Sequence, residues 1–233
     1  MTQLQARGVV KAYGRTPALR GVTVDVAEGE IVAVTGPSGC GKSTLLHCLA
    51  GILRPDTGEV SWNGHRIDTW SEAARSRLRR TEFGVLLQFG QLVAELTAAE
   101  NVALPLLLAG TRRREARTAA LSWMERLGVA ELADVRPGEM SGGQQQRCAM
   151  ARALVTEPRV LFADEPTGAL DTLAGEQVLV QLVRLAREQK TTVVLVTHEP
   201  QIAAYADREV ILRDGMVDQT GLGLDTPLPG SRR

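Results

Sequence analysis

Gly36-Pro37-Ser38-Gly39-Cys40-Gly41-Lys42-Ser43-Thr44 has the spacing GxxxxGK[ST], the pattern of a loop that holds phosphate groups. Its glycines let the backbone fold tightly enough for successive N–H groups to point into one concavity, and a helix starting there adds positive potential for an anion. Lys42 is placed to neutralise the β- and γ-phosphates of a nucleotide, and the Ser43 hydroxyl to ligate Mg²⁺. Only three of the 27 basic residues are lysines, so an ammonium here fits a point-charge role that a forked guanidinium fills badly.

Three further groups have chemistry to offer. Ser141-Gly142-Gly143-Gln144 opens a helical pattern with a hydroxyl at the cap and glycines in the first turn, which makes a second anion site. Asp164 and Glu165 end the apolar run Val160-Leu161-Phe162-Ala163, where Asp164 suits a water-mediated Mg²⁺ contact and Glu165 suits polarising a water. His198 ends a second such run, Thr192 to Thr197, and can hydrogen-bond a terminal phosphate. Tyr13, at the end of a first strand, offers its ring face to an adenine.

These groups need a scaffold, and the hydrophobic pattern supplies one. Ile31-Val32-Ala33-Val34 enters the phosphate loop as a buried strand, and Leu45 to Ala50 leaves it as a helix. The alternation of Val22 to Val26 and the Asn63-Gly64 turn within 58–67 predict an antiparallel β segment around the loop. Phe83 to Leu87 is a strand candidate ending at Gln88. From Glu95 to Gly128 the period is helical, closing near the breakers Arg136-Pro137-Gly138. Continuous apolar strands with ligand groups at their carboxyl ends predict an α/β fold around a mainly parallel sheet.

Composition sets bounds on function. At 233 residues and 44% hydrophobic the chain can bury a substantial core. Basic and acidic residues number 27 each, so net charge does not argue for a nucleic-acid partner. Three cysteines without a CxxC pair point to a reducing compartment, with Cys40 a small, passive loop residue. No secretory leader is expected at the N-terminus. The longest greasy run, Val102 to Ala109, is broken by Pro105 and falls short of the ~20 residues that span a bilayer. Any membrane role therefore needs a partner chain. Arg75, Arg77, Arg79 and Arg80 read as a solvated helix face, with phosphate or lipid contact the alternative.

In order along the chain, Tyr13, the loop from Gly36 to Thr44, Gln88, Met140-Ser141-Gly142-Gly143-Gln144-Gln145-Gln146-Arg147, Val160 to Glu165, Ala169-Leu170-Asp171 and His198 resemble the motifs of ATP-binding-cassette (ABC) ATPase subunits. Asp164 through Asp171, and Gln88-Phe89 through Leu104-Pro105, are similar to the branch of lipoprotein-release, macrolide-export, cell-division and bacitracin-type ATPases. Met140 stands where leucine is usual, and Gly90 and Ala94 where an aromatic and a proline are common.

The resemblance implies a P-loop NTPase core with an N-terminal antiparallel β subdomain and an inserted helical subdomain at about 89–157. A single domain would span 1–219, with a tail at 220–233. It implies an Mg²⁺-dependent ATPase working as a homodimer, in which Ser141 and Gly143 of one copy close on the γ-phosphate held by Lys42 of the other. Asp171 would lie at that joint, His198 would link the phosphate to it, and Gln88 would report the Mg²⁺ site to the helical subdomain. The implied partner is an integral membrane permease (FtsX/MacB-like) meeting residues 89–107, with Val102 to Pro105 exposed to it and the chain peripheral on the cytoplasmic face of a bacterial membrane. The alternative is a soluble cassette ATPase acting on DNA or ribosomes.

Overall fold

The computed structural model describes residues 2–87, 91–168 and 170–218. Two sheets carry the chain. β1 (Thr2–Tyr13) and β2 (Thr16–Ala27) form a long antiparallel hairpin, extended by β4 (Thr57–Trp62) and β5 (His65–Arg66) into a four-stranded sheet ordered β2-β1-β4-β5. Asn63 and Gly64 join β4 to β5 at φ 49° and 78°, the double left-handed geometry of the tightest hairpin turn.

The second sheet is built from β3 (Ile31–Thr35), β6 (Phe83–Leu86), β7 (Val160–Asp164), β8 (Thr192–Val196), β9 (Arg208–Arg213) and β10 (Met216–Val217). Its order is β10-β9-β3-β8-β7-β6, parallel from β9 to β6, with β10 antiparallel at one edge. The α/β class expected from the apolar runs is the one observed: β3, β7 and β8 are buried at every position, as strands covered on both faces must be.

Side-chain alternation in these strands divides the interior. Val32, Val34, Phe162, Val194 and Val196 pack toward the antiparallel sheet and α1 (Lys42–Leu49). Ile31, Leu161, Ala163, Val193 and Leu195 pack on the other side, against α3 (Ala98–Leu108), α4 (Arg113–Arg126), α5 (Gly142–Leu154) and α6 (Thr172–Gln189). Successive strand residues point to opposite faces, so α1 and α5 belong to opposite sides of the central sheet. Trp62 of β4 stands edge-on to Phe83 at 5.7 Å, and Phe83 edge-on to Phe162 at 5.1 Å. This aromatic chain ties the antiparallel sheet to the central one.

Two expectations need correction. Arg75 and Arg79 do not lie on a solvated face of α2 (Glu72–Thr81). Arg75 is 6% exposed, both guanidinia pair with Glu72, and Arg79 also donates to the Gly51 carbonyl at 2.6 Å. Val102 and Ala103 are buried in the helical core, Leu104 and Pro105 are half-buried, and full exposure comes only at Leu107 and Leu108. The apolar run lies within α3, whose first turns are buried nearly all round and whose last turn emerges from the core. Among the described residues no helix is long and apolar enough to cross a membrane.

The Glu72 pairs set a pH dependence. Arg79 first, then Arg75 and Ser76, pull its carboxyl from an ordinary 4.5 down to about 2. A depressed carboxylate contributes stability that is complete above its unfolded value and lost as pH falls through the folded one. Glu72→Gln should therefore lower the melting temperature at pH 6, and its gap from the parent should narrow between pH 4.5 and 2. A gap independent of pH over that range would refute the pairing.

Candidate active site

β3, β8 and β7 are neighbours and parallel, so their carboxyl ends share one edge, where α/β sheets bind ligands. The phosphate loop leaves β3, Asp164 and Glu165 end β7, and Thr197 and His198 follow β8. The sheet order thus assembles groups that lie more than a hundred residues apart in sequence.

Backbone packing requires glycine in the loop. Gly36 has φ +139°, and a Cβ there would lie 2.1 Å from the Leu212 carbonyl oxygen; Gly41 has φ +106°, with the Ala18 carbonyl 2.3 Å from the same construction. Pro37, Ser38 and Gly39 form an exposed rim, Cys40 is buried beneath it, and Thr44 is half-buried in the first turn of α1. Lys42 is 6% exposed, and its Nζ donates to the carbonyls of Gly36 at 2.9 Å and Pro37 at 3.0 Å. The ammonium is thereby fixed at the mouth of the loop. Gly41→Ala should weaken ATP binding about tenfold or more, since the strained Cβ cannot be absorbed without moving Ala18 or the loop. Titration with a fluorescent ATP analogue checks this, and unchanged affinity would refute it.

The Ser43 hydroxyl donates to Asp164 Oδ1 at 3.1 Å. Asp164 is 7% exposed, and burial pushes its carboxyl above the usual carboxylate range. A desolvated carboxylate beside a hydroxyl fits a hard divalent cation with oxygen ligands. Among the described residues no group of three His, Cys, Asp or Glu could hold a metal alone, so a cation beside Asp164 would draw further ligands from neutral oxygens, phosphate and water. That is the usual habit of Mg²⁺.

Glu165 adopts φ 43°, a left-handed conformation costing ~1–3 kcal/mol in a non-glycine residue. Its N–H donates to the Val196 carbonyl at 2.9 Å and its own carbonyl accepts from Gly168 at 3.1 Å. These bonds hold the strained residue across the β7–β8 junction. Glu165 Oε1 lies 3.1 Å from His198 Nδ1, with the carboxylate mostly shielded and the imidazole more than half exposed. The Glu199 N–H donates to Thr197 Oγ1 at 3.0 Å, shaping the turn that presents His198.

Ser141 caps α5. Its Oγ accepts from the Gln144 N–H at 3.3 Å, and Gln144 Oε1 accepts from the Ser141 N–H at 2.8 Å. This reciprocal capping box uses the Gln144 side chain locally, while Ser141 and Gly142 remain exposed and Gly143 partly so.

Residues 19–168 match the family model described as ABC transporter. The chain belongs to the ABC transporter family. It is 45% identical over 219 residues to the lipoprotein-releasing system ATP-binding protein LolD 2 of Caulobacter vibrioides, covering 92% of this chain and 96% of that protein. The corresponding LolD of Geobacter metallireducens is 43% identical over 92% of this chain and 97% of its own length. The ATP-binding cassette MJ0796, solved as a dimer in a post-hydrolysis state with ADP and Pi, superposes with a TM-score of 0.87 at 36% identity, covering 93% of this chain and 97% of that one.

The remaining expected residues of the cassette sit as follows. Tyr13 is 53% exposed and pairs with Thr16 at the tip of the β1–β2 hairpin, whose Ala18 carbonyl abuts Gly41. Asp171 caps α6, its Oδ1 accepting from the Ala174 N–H at 2.9 Å. Gln88, Ala169 and the tail 220–233 lie outside the described residues.

Sequence reading missed the Glu165–His198 contact and the pinning of the loop after β6. Asn101, fully buried, accepts from the Val93 N–H at 2.7 Å and donates to the carbonyls of Val93, Leu96 and Thr97. An asparagine one residue after the Thr97/Glu100 capping box was the available signal.

Proposed function

We propose that this cassette is the ATP-hydrolysing subunit of a lipoprotein-releasing type of transporter, peripheral on the cytoplasmic face of a bacterial membrane and coupled to a separately encoded integral permease. The observation that carries the reading is the split between its two anion sites. Lys42 and Ser43 open α1 in one core, whereas Ser141 opens α5 in the other, across the central sheet. One chain is poorly arranged to close its own Ser141–Gly143 tip on its own nucleotide; two copies facing head to tail complete two sites. The dimeric cassette MJ0796 supports this arrangement.

In this reading the loop amides and Lys42 bind the β- and γ-phosphates of ATP, and Tyr13 stacks the adenine. Ser43 and Asp164, with Gln88, hold Mg²⁺, which when bound supplies charge neutralisation at the phosphate oxygens. Glu165 orients a water and takes its proton as the oxygen attacks the γ-phosphorus and the bond to ADP breaks. His198, whose Nδ1 lies 3.1 Å from Glu165 Oε1, reaches the terminal phosphate with an Nε2–H donor. Ser141 and Gly143 of the second copy, beside its Asp171, stabilise that phosphate with hydroxyl and helix-end donors. Release of phosphate removes the bridge and lets the pair part.

The permease is taken to meet the loop 91–97 and the exposed end of α3 at Leu107 and Leu108. The lipoprotein-releasing names of the relatives support this reading over an ATPase of DNA or ribosomes. Affinity recovery of tagged Glu165→Gln protein from detergent-solubilised membranes, with ATP present, tests it. Co-recovery of one integral membrane protein is expected. Recovery with ribosomes or DNA and no membrane protein would overturn the reading.

A further inference from the structure

Among the described residues, the segment 91–97 takes side-chain hydrogen bonds from two distinct helices, α3 and α5. Asn101 organises 93–97 from α3, as a buried asparagine satisfying turn carbonyls does. The other contact is Arg152 of α5, whose Nη1 donates to the Gln91 carbonyl at 2.9 Å. Gln91 has φ 44°, so the backbone that receives this bond is itself in a strained left-handed conformation. Arg152 is partly buried and desolvated, which strengthens a charge-assisted bond to a carbonyl.

Arg152 lies eleven residues beyond the cap Ser141 on one uninterrupted helix, about 16 Å along its axis. α5 is therefore a rod with the Gln91 bond at one end and the Ser141–Gly143 tip at the other. We propose that Arg152 is a positioning residue for ATP hydrolysis: it locks the segment 91–97 to α5, so that a shift of that segment is delivered to Ser141–Gly143 as a rigid movement. Lys42 is anchored in the opposite core and does not share this link. The inference rests on the proposed closure of Ser141–Gly143 over a second copy's nucleotide.

The test uses the full chain with Arg152→Met, which keeps an apolar stem of similar reach, and Arg152→Lys, which keeps one charged donor. Arg152→Met should lower kcat about tenfold while the KM for ATP and single-chain affinity for a fluorescent ATP analogue stay within about threefold. In the Glu165→Gln background it should weaken ATP-driven dimerisation by a similar factor. Arg152→Lys should recover most of both losses. Parent-like kcat and dimerisation in Arg152→Met would overturn the proposal. So would equal losses in nucleotide affinity and kcat, or a lysine variant no better than methionine. Failure of the Glu165→Gln chain itself to dimerise with ATP would instead remove the sandwich on which the inference rests.

Discussion

Glu165→Gln is expected to lower ATP turnover by about 10²–10³-fold, the range for losing a positioned general base, while ATP affinity stays within about twofold of the parent. The amide matches the carboxylate in size and keeps an oxygen beside His198 Nδ1, which lies 3.1 Å from Glu165 Oε1. The backbone bonds that hold φ 43° do not involve the side chain, so the fold should be unaffected. What is lost is the place for water's proton. With hydrolysis blocked, ATP should accumulate bound, and rapid-quench measurement of phosphate release reads the step directly. Turnover at the parent rate would mean that another group takes the proton.

Lys42→Ala should cost about 10²-fold or more in ATP affinity, equivalent to ~2.7 kcal/mol for a charge-assisted phosphate contact in a shielded loop. Stability should change little. Nζ is held by the Gly36 and Pro37 carbonyls at 2.9 and 3.0 Å, but removing a buried cation also removes its desolvation cost. Lys42→Arg should fare little better, because a planar fork does not fit a seat made for a compact ammonium. Isothermal titration with ATP and a thermal melt of the same samples separate the two effects. A large loss of melting temperature with near-parent affinity would assign Lys42 to the fold instead of the ligand.

What could be read from the sequence was what depends on neighbours along the chain. The phosphate loop is a local motif between a strand and a helix, and the Asn63-Gly64 turn and the Ser141 cap are equally local. Strands β3, β7 and β8 were legible because both faces are covered and their apolar runs are continuous. The Glu165–His198 contact was not, because it depends on β7 and β8 lying side by side. The bond from Arg152 to Gln91 joins residues 61 apart and has no local signal. Val102 and Ala103 were misread because an apolar run does not tell which end of its helix enters the core, and the first turns of α3 do. Arg75 and Arg79 were misread because arginine is rarely buried, and the Gly51 turn that packs on Arg75 and accepts from Arg79 comes beside α2 only in three dimensions.

The sandwich of nucleotide between two copies is tested most directly by sedimentation equilibrium of Glu165→Gln protein with and without ATP and Mg²⁺. The predicted result is a single-chain mass without nucleotide and a two-chain mass with two ATP bound. A further Ser141→Arg change should return it to a single chain that binds ATP within about threefold of the parent, because Ser141 is remote from the loop of its own copy. A single-chain mass at saturating ATP, or a pair indifferent to Ser141→Arg, would contradict it.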